Sequence, residues 1–131
     1  NSGINVIMDR YHYSTIAYQI LDNKLRNYYL ELIDKHNYFR KIKIPDLTFI
    51  LQINYNTFIK RMEQRIKKQK LDTFESNDDL MKHVIDFYNN NFIQDNLIGF
   101  GPIIKIDGKR DIFSVHSSIL NITKEILFWE V

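Results

Sequence analysis

The sequence predicts an α/β protein, a parallel sheet flanked by helices in three layers. Three observations carry that prediction. Short apolar runs at residues 4–8, 47–53 and 103–106 are too brief for helices and suit buried strands. Longer stretches between and after them repeat apolar residues at spacings of three and four. Strands alternating with helices call for a parallel sheet rather than a bundle or sandwich.

In the first segment Ile4, Val6 and Met8 alternate with Asn5 and Ile7, and Asp9-Arg10 follow at the carboxyl end. Ser14 or Thr15 is the expected N-cap of the next element. There Ala17, Leu21, Leu25, Tyr28 and Leu32 mark one face of a long helix ending near Lys35 or His36. Residues 39–46 form a loop that Pro45 closes, and Leu47 to Ile53 is the second strand. Phe58, Met62 and Ile66 then stripe a helix starting near Asn56, with Arg61, Arg65 and Lys68 on a second face and Lys67 and Lys70 beside them. Residues 69–75 read as the mobile end of that segment. Ser76, with Asp79 three positions on, is the expected cap of a helix whose core face is Leu80, Val84, Phe87 and Tyr88. A polar loop over 89–101 precedes the third strand, Asp107-Gly108 turns it, and Val115, Ile119, Ile122 and Ile126 define a final amphipathic helix.

With 131 residues, 44% of them hydrophobic, the chain can bury one modest core, so residues 1–131 are read as a single domain. A net charge of +2 is too mild for a nucleic-acid binder, and any anion site must come from local clustering of Lys and Arg. There is no cysteine, which excludes disulfides and thiolate metal sites and allows a reducing cytoplasm. No run approaches the roughly 18 apolar residues of a membrane span. His12, His36, His83 and His116 are too scattered for a zinc site, so no metal ligand is assigned.

The run Asp9-Arg10-Tyr11, Ser14 and Ala17-Tyr18-Gln19 resembles a stretch of the thymidylate kinases, where it lies at a junction from strand to helix. Pro45-Asp46-Leu47-Thr48 looks like that family's next strand, and Leu71-Asp72-Thr73-Phe74-Glu75 is similar to the exit of its lid. The resemblance covers this chain but only the later part of the family's length. The four glycines, at 3, 99, 101 and 108, make no Gly-x-x-x-x-Gly-Lys-Ser/Thr loop, and the chain opens on Asn1-Ser2-Gly3. A portion bearing the phosphate loop and the first strands of a P-loop nucleotide-kinase-like fold is therefore expected elsewhere, with residues 1–131 its C-terminal portion and about 61–75 its lid.

What the resemblance implies is a kinase that passes the γ-phosphoryl group of ATP to dTMP with magnesium, as a cytoplasmic homodimer. Such transfer asks the protein chiefly to position two anions and offset their repulsion. By resemblance, Arg10 contacts the acceptor phosphate, and Asp9 orients that arginine or holds metal-bound water. Ser14 belongs to the same acceptor site, Thr15 and Gln19 meet the thymine, and Tyr18 packs near the 2′ carbon of the sugar. Arg61 and Arg65 are expected catalytic groups of the lid helix that, with Lys68 and Asp107, contact ATP. Asn54-Tyr55 stands where the family often has Asp-Pro, and Gln69 where a lid glycine is common. The rival readings are a deoxynucleoside kinase of related fold, against which Ala17-Tyr18-Gln19 argues, and a noncatalytic interaction domain derived from a kinase.

Overall fold

The computed structural model describes residues 5–19, 24–25, 27–29, 31, 43–66, 77–89 and 101–127. The elements run α1 (His12–Gln19), β1 (Thr48–Gln52), α2 (Tyr55–Ile66), α3 (Asp78–Asn89), β2 (Ile103–Asp107) and α4 (Ile112–Leu127). Between α1 and β1, residues 24–25, 27–29 and 31 are also helical. The expected apolar positions Leu21 and Leu32, the helix end near Lys35 or His36, Lys68, the segment 69–75, Ser76 and most of the 89–101 loop lie outside the described residues.

β1 and β2 pair in parallel with Thr48 opposite Ile103 and Gln52 opposite Asp107. The pairing continues at both ends, because the Thr48 amide donates to the Pro102 carbonyl at 2.9 Å and the Gly108 amide to the Gln52 carbonyl at 2.9 Å. Strand side chains alternate between faces, so Ile50 is buried while Leu51 is half-exposed on the other side. Ile50 meets Tyr13, Ile16 and Ala17 of α1 and Met81, Val84 and Phe87 of α3 in one core. Ile16, with no exposed surface, lies at its centre. α3 packs against both α1 and β1, while α4 lies against β2.

Each helix start has a local cause. Asn54 caps α2 by accepting the Thr57 amide at 2.8 Å, and Asn77 caps α3 by accepting the Leu80 amide at 3.0 Å. Asp111 caps α4, accepting the Ser114 amide at 2.9 Å. These bonds hold the Asp111 carboxyl below its ordinary range, the Ser114 side chain first and its backbone second. The starts of α2 and α3 are joined by Tyr55, whose hydroxyl donates to Asp78 and whose ring centroid lies 5.2 Å from the Lys82 ammonium, while Lys82 pairs with Asp78 at 2.8 Å within α3.

Four expectations need correction. The first strand is not formed: residues 5–8 are irregular and exposed, Ile7 by 98%. A strand needs a neighbour to take its backbone hydrogen bonds, and among the described residues β1 and β2 form a sheet of two. Apolar alternation reports that a segment suits a sheet and says nothing of which strand lies beside it. Second, neither Ser14 nor Thr15 is an N-cap. α1 begins at His12, the Ser14 amide donates to the Tyr11 carbonyl at 3.1 Å, and both residues lie inside the helix. Third, the cap of α3 is Asn77 rather than Ser76. Fourth, the helical stripes are less buried than their spacing suggests: α2 has no buried residue, Ile66 is half-exposed, and in α4 the most exposed apolar side chains are Ile112 and Phe113.

Candidate active site

The polar groups that matter collect where the two parallel strands end. In α/β proteins this carboxyl edge is the usual ligand site, since the following loops and helix starts converge there. Gln52, the last residue of β1, organises it. Its side-chain amide donates to the Tyr88 carbonyl at 2.9 Å, and its backbone carbonyl accepts the Gly108 amide. Asn89 adds a second stitch, its side-chain amide donating to the Ile53 carbonyl at 2.7 Å. The end of α3 is thus tied to the end of β1 on one side, and the turn after β2 on the other.

On the α3 side stand Arg10, Ser14, Tyr18 and Tyr88. Ser14 and Tyr18 are one helical turn apart and so share a face of α1. Arg10 has φ of +73°, a left-handed conformation that costs a residue with a side chain about 1 kcal/mol or more. That backbone turns its guanidinium over the Tyr18 ring, 5.2 Å from the centroid. Non-glycine residues held this way concentrate at functional sites. Tyr88 brings its hydroxyl to 3.4 Å from Ser14 Oγ. Burial pushes the Tyr88 phenol above its ordinary range, the Ser14 contact opposes that shift, and Tyr18 and Arg10 act on it with smaller, opposite effects.

On the β2 side Arg61 of α2 donates to the Gly108 carbonyl at 2.7 Å. Within the turn, Asp107 accepts the Lys109 amide at 2.9 Å, and Arg110 reaches both the Asp107 carbonyl at 3.4 Å and Ser118 at 3.0 Å. Arg61, Lys109 and Arg110 thereby put three cations around one turn, where Lys109 also lies 4.0 Å from the Asp107 carboxylate.

Of the residues singled out from sequence, the structure brings Arg10, Ser14 and Tyr18 together, and Arg61 to the turn that contains Asp107. Thr15 is half-buried and Gln19 exposed on the adjoining face of α1. Asp9 is exposed immediately before Arg10, and Arg65 is exposed one turn along α2 from Arg61. Lys68 lies outside the described residues. Sequence reasoning missed Tyr88, read as a core residue, and Lys109 and Arg110, which directly follow the Asp107-Gly108 turn signal. Gln52 and Asn89 were missed too, because their partners are backbone carbonyls.

The thymidylate kinase profile matches residues 1–98, which include Arg10, α1, β1, α2 and α3. This chain belongs to the thymidylate kinase family. It is 43% identical over 75 residues to the thymidylate kinase of Leptospira borgpetersenii, an alignment covering 57% of this chain and 34% of that protein. The thymidylate kinase of Brachyspira hyodysenteriae is 33% identical over 126 residues, 95% of this chain and 54% of its own length. For that of Buchnera aphidicola the figures are 31% over 130 residues, 98% and 55%. The chain therefore spans about a third to a half of the curated thymidylate kinases it matches. No solved structure matches it. Family membership implies a P-loop fold, of which the two-stranded parallel sheet and its helices are the portion described.

Proposed function

We propose that this chain carries the acceptor side of a thymidylate kinase, in a protein that transfers the γ-phosphoryl group of ATP to dTMP to give dTDP and ADP. The observation that carries the reading is Arg10, held left-handed over Tyr18 at the start of α1 inside the region the family profile matches. A guanidinium fixed there can grip the dTMP phosphate by a charge-assisted fork. In the same reading Ser14 belongs to the acceptor site, Thr15 and Gln19 satisfy the polar edge of thymine, and Tyr18 covers the sugar where a ribose would carry its 2′ hydroxyl. Arg61 and Arg65, with Lys68 and Asp107, belong to the ATP side, where cations of α2 offset the charge of the transferring group.

Among the described residues no three His, Asp or Glu side chains gather to hold a metal ion. That is compatible with magnesium, which commonly takes one or two carboxylates and completes its shell with phosphate oxygens and water. Asp9, exposed beside Arg10, fits as the group that holds metal-bound water. The ion's contribution is to neutralise triphosphate charge. A cytoplasmic homodimer belongs to this reading. Among the described residues no helix is long and apolar enough to cross a membrane.

The test is ADP release from ATP and magnesium by the full-length protein, comparing dTMP, dUMP, dCMP and thymidine. Turnover fastest with dTMP is expected. Turnover with thymidine and not dTMP would identify a nucleoside kinase, and none with any acceptor a binding domain.

A further inference from the structure

Of Arg10, Ser14, Tyr18 and Tyr88, only Tyr88 has no task in the proposed chemistry. Its position is nonetheless closely specified. The Gln52 side chain holds its carbonyl at 2.9 Å, the neighbouring Asn89 is bonded to Ile53, and its ring meets Phe87 edge to face with centroids 5.4 Å apart. Phe87 is buried, so the Tyr88 ring is packed from behind by the core. Only the phenol end is directed across to α1, where it meets Ser14 Oγ at 3.4 Å. Between two hydroxyls that is a long contact, able to tighten or to share an oxygen of a bound molecule.

We propose that Tyr88 is a positioning residue of the acceptor site, whose hydroxyl holds Ser14 and so fixes the α1 face that carries Tyr18 beneath the Arg10 guanidinium. This rests on the reading of that site as the dTMP site. The argument is one of rigidity. Groups that recognise a nucleotide must stay within about half an ångström of their productive places, which requires support from side chains that are themselves locked. α1 begins directly after the irregular residues 5–10, so among the described residues no strand leads into its first turn. Its first-turn contacts with the rest of the chain include Tyr11 donating to the Lys43 carbonyl at 3.3 Å and Ser14 meeting Tyr88. Of these, the contact on the Tyr18 face is the one from Tyr88, which is anchored in turn to β1. A phenol kept protonated by burial remains available as a donor throughout the neutral range.

The experiment is equilibrium titration of the full-length protein with dTMP and with ribothymidine monophosphate, for wild type, Tyr88→Phe, Ser14→Ala and the double variant. Tyr88→Phe keeps the ring and its packing and removes the hydroxyl. It is expected to weaken dTMP about fivefold, the size of one net hydrogen bond. Because Tyr18 then loses its fixed place against the sugar, the preference for dTMP over the ribonucleotide should fall too, which a merely structural role would not cause. The double variant should bind like the single ones, since both remove the same contact. Should Tyr88→Phe fail to fold, Ser14→Ala reads the contact from its other side. Failure of the wild type to bind dTMP would overturn the underlying reading at the first titration. Wild-type binding with unchanged affinity and preference in Tyr88→Phe would overturn the role of Tyr88 alone.

Discussion

Gly101 is where the register of the sheet is most exposed to a single methyl group. It precedes Pro102 at the entry to β2 and has φ of +66°. A Cβ placed there would stand 2.1 Å from the Pro45 carbonyl oxygen and 3.3 Å from the Ile44 side chain. Gly101→Ala therefore meets two costs. The left-handed backbone costs a residue with a side chain about 1–2 kcal/mol. Relieving an overlap with backbone, which cannot swing aside like a flexible side chain, costs about 1–3 kcal/mol more. The smaller entropy of the unfolded alanine chain returns about 0.4–1 kcal/mol. The expected net loss is about 1–5 kcal/mol, with the bond from Thr48 to Pro102 weakened as the loop moves. Urea unfolding followed by far-ultraviolet circular dichroism measures it. Gly108→Ala is the companion: it lacks the left-handed φ, and its Cβ would lie 3.1 Å from Ile53 and 3.2 Å from the Gln52 carbonyl. It should lose clearly less. A Gly101→Ala protein within about 0.5 kcal/mol of wild type, the range of an ordinary surface change, would refute the approach of Gly101 to Pro45.

Two further predictions concern helix starts. Asn54→Ala should cost about 1 kcal/mol by leaving the Thr57 amide without its cap, whereas Asn54→Asp should be near neutral, both read by the same unfolding assay. Asp111 has its carboxyl pKa lowered by Ser114, so its contribution to stability is present above the unfolded carboxylate pKa and lost as pH falls through the folded value. The acid limb of a stability profile should accordingly flatten in Asp111→Asn, and an unchanged limb would contradict the cap.

Much of this architecture is legible in the sequence, and what is not has a physical explanation. β1 and β2 are readable because apolar, β-branched runs are bounded by strong punctuation, Pro45-Asp46 before one and Asp107-Gly108 after the other. The core face of α3 is readable from Val84 and Phe87, although Met81 and Ile85 are also buried and widen it. Residues 5–8 carry the same apolar signal as a strand, yet strand formation depends on a neighbour, which local pattern does not encode. The first turn of α1 was misplaced because Ser14 is a good cap by type, while in the fold its hydroxyl faces Tyr88. In the site, Arg10 and Tyr18 were legible only through the family resemblance. The partner of Arg61 was not legible at all, because it is a carbonyl at Gly108 and any residue supplies one. Tyr88 satisfies the helical core pattern with its ring and conceals a polar task at its tip.

The central claim is that Arg10, poised over Tyr18, reads the phosphate of dTMP. Its most direct test is equilibrium binding of dTMP and of thymidine to the wild-type protein and to Arg10→Ala. The account predicts that wild type binds dTMP, that the variant loses about 10- to 100-fold in dTMP affinity, as expected for a charged hydrogen-bond partner, and that thymidine, which has no phosphate, is little affected. Equal dTMP affinity in the two proteins, or equal losses for dTMP and thymidine, would contradict it.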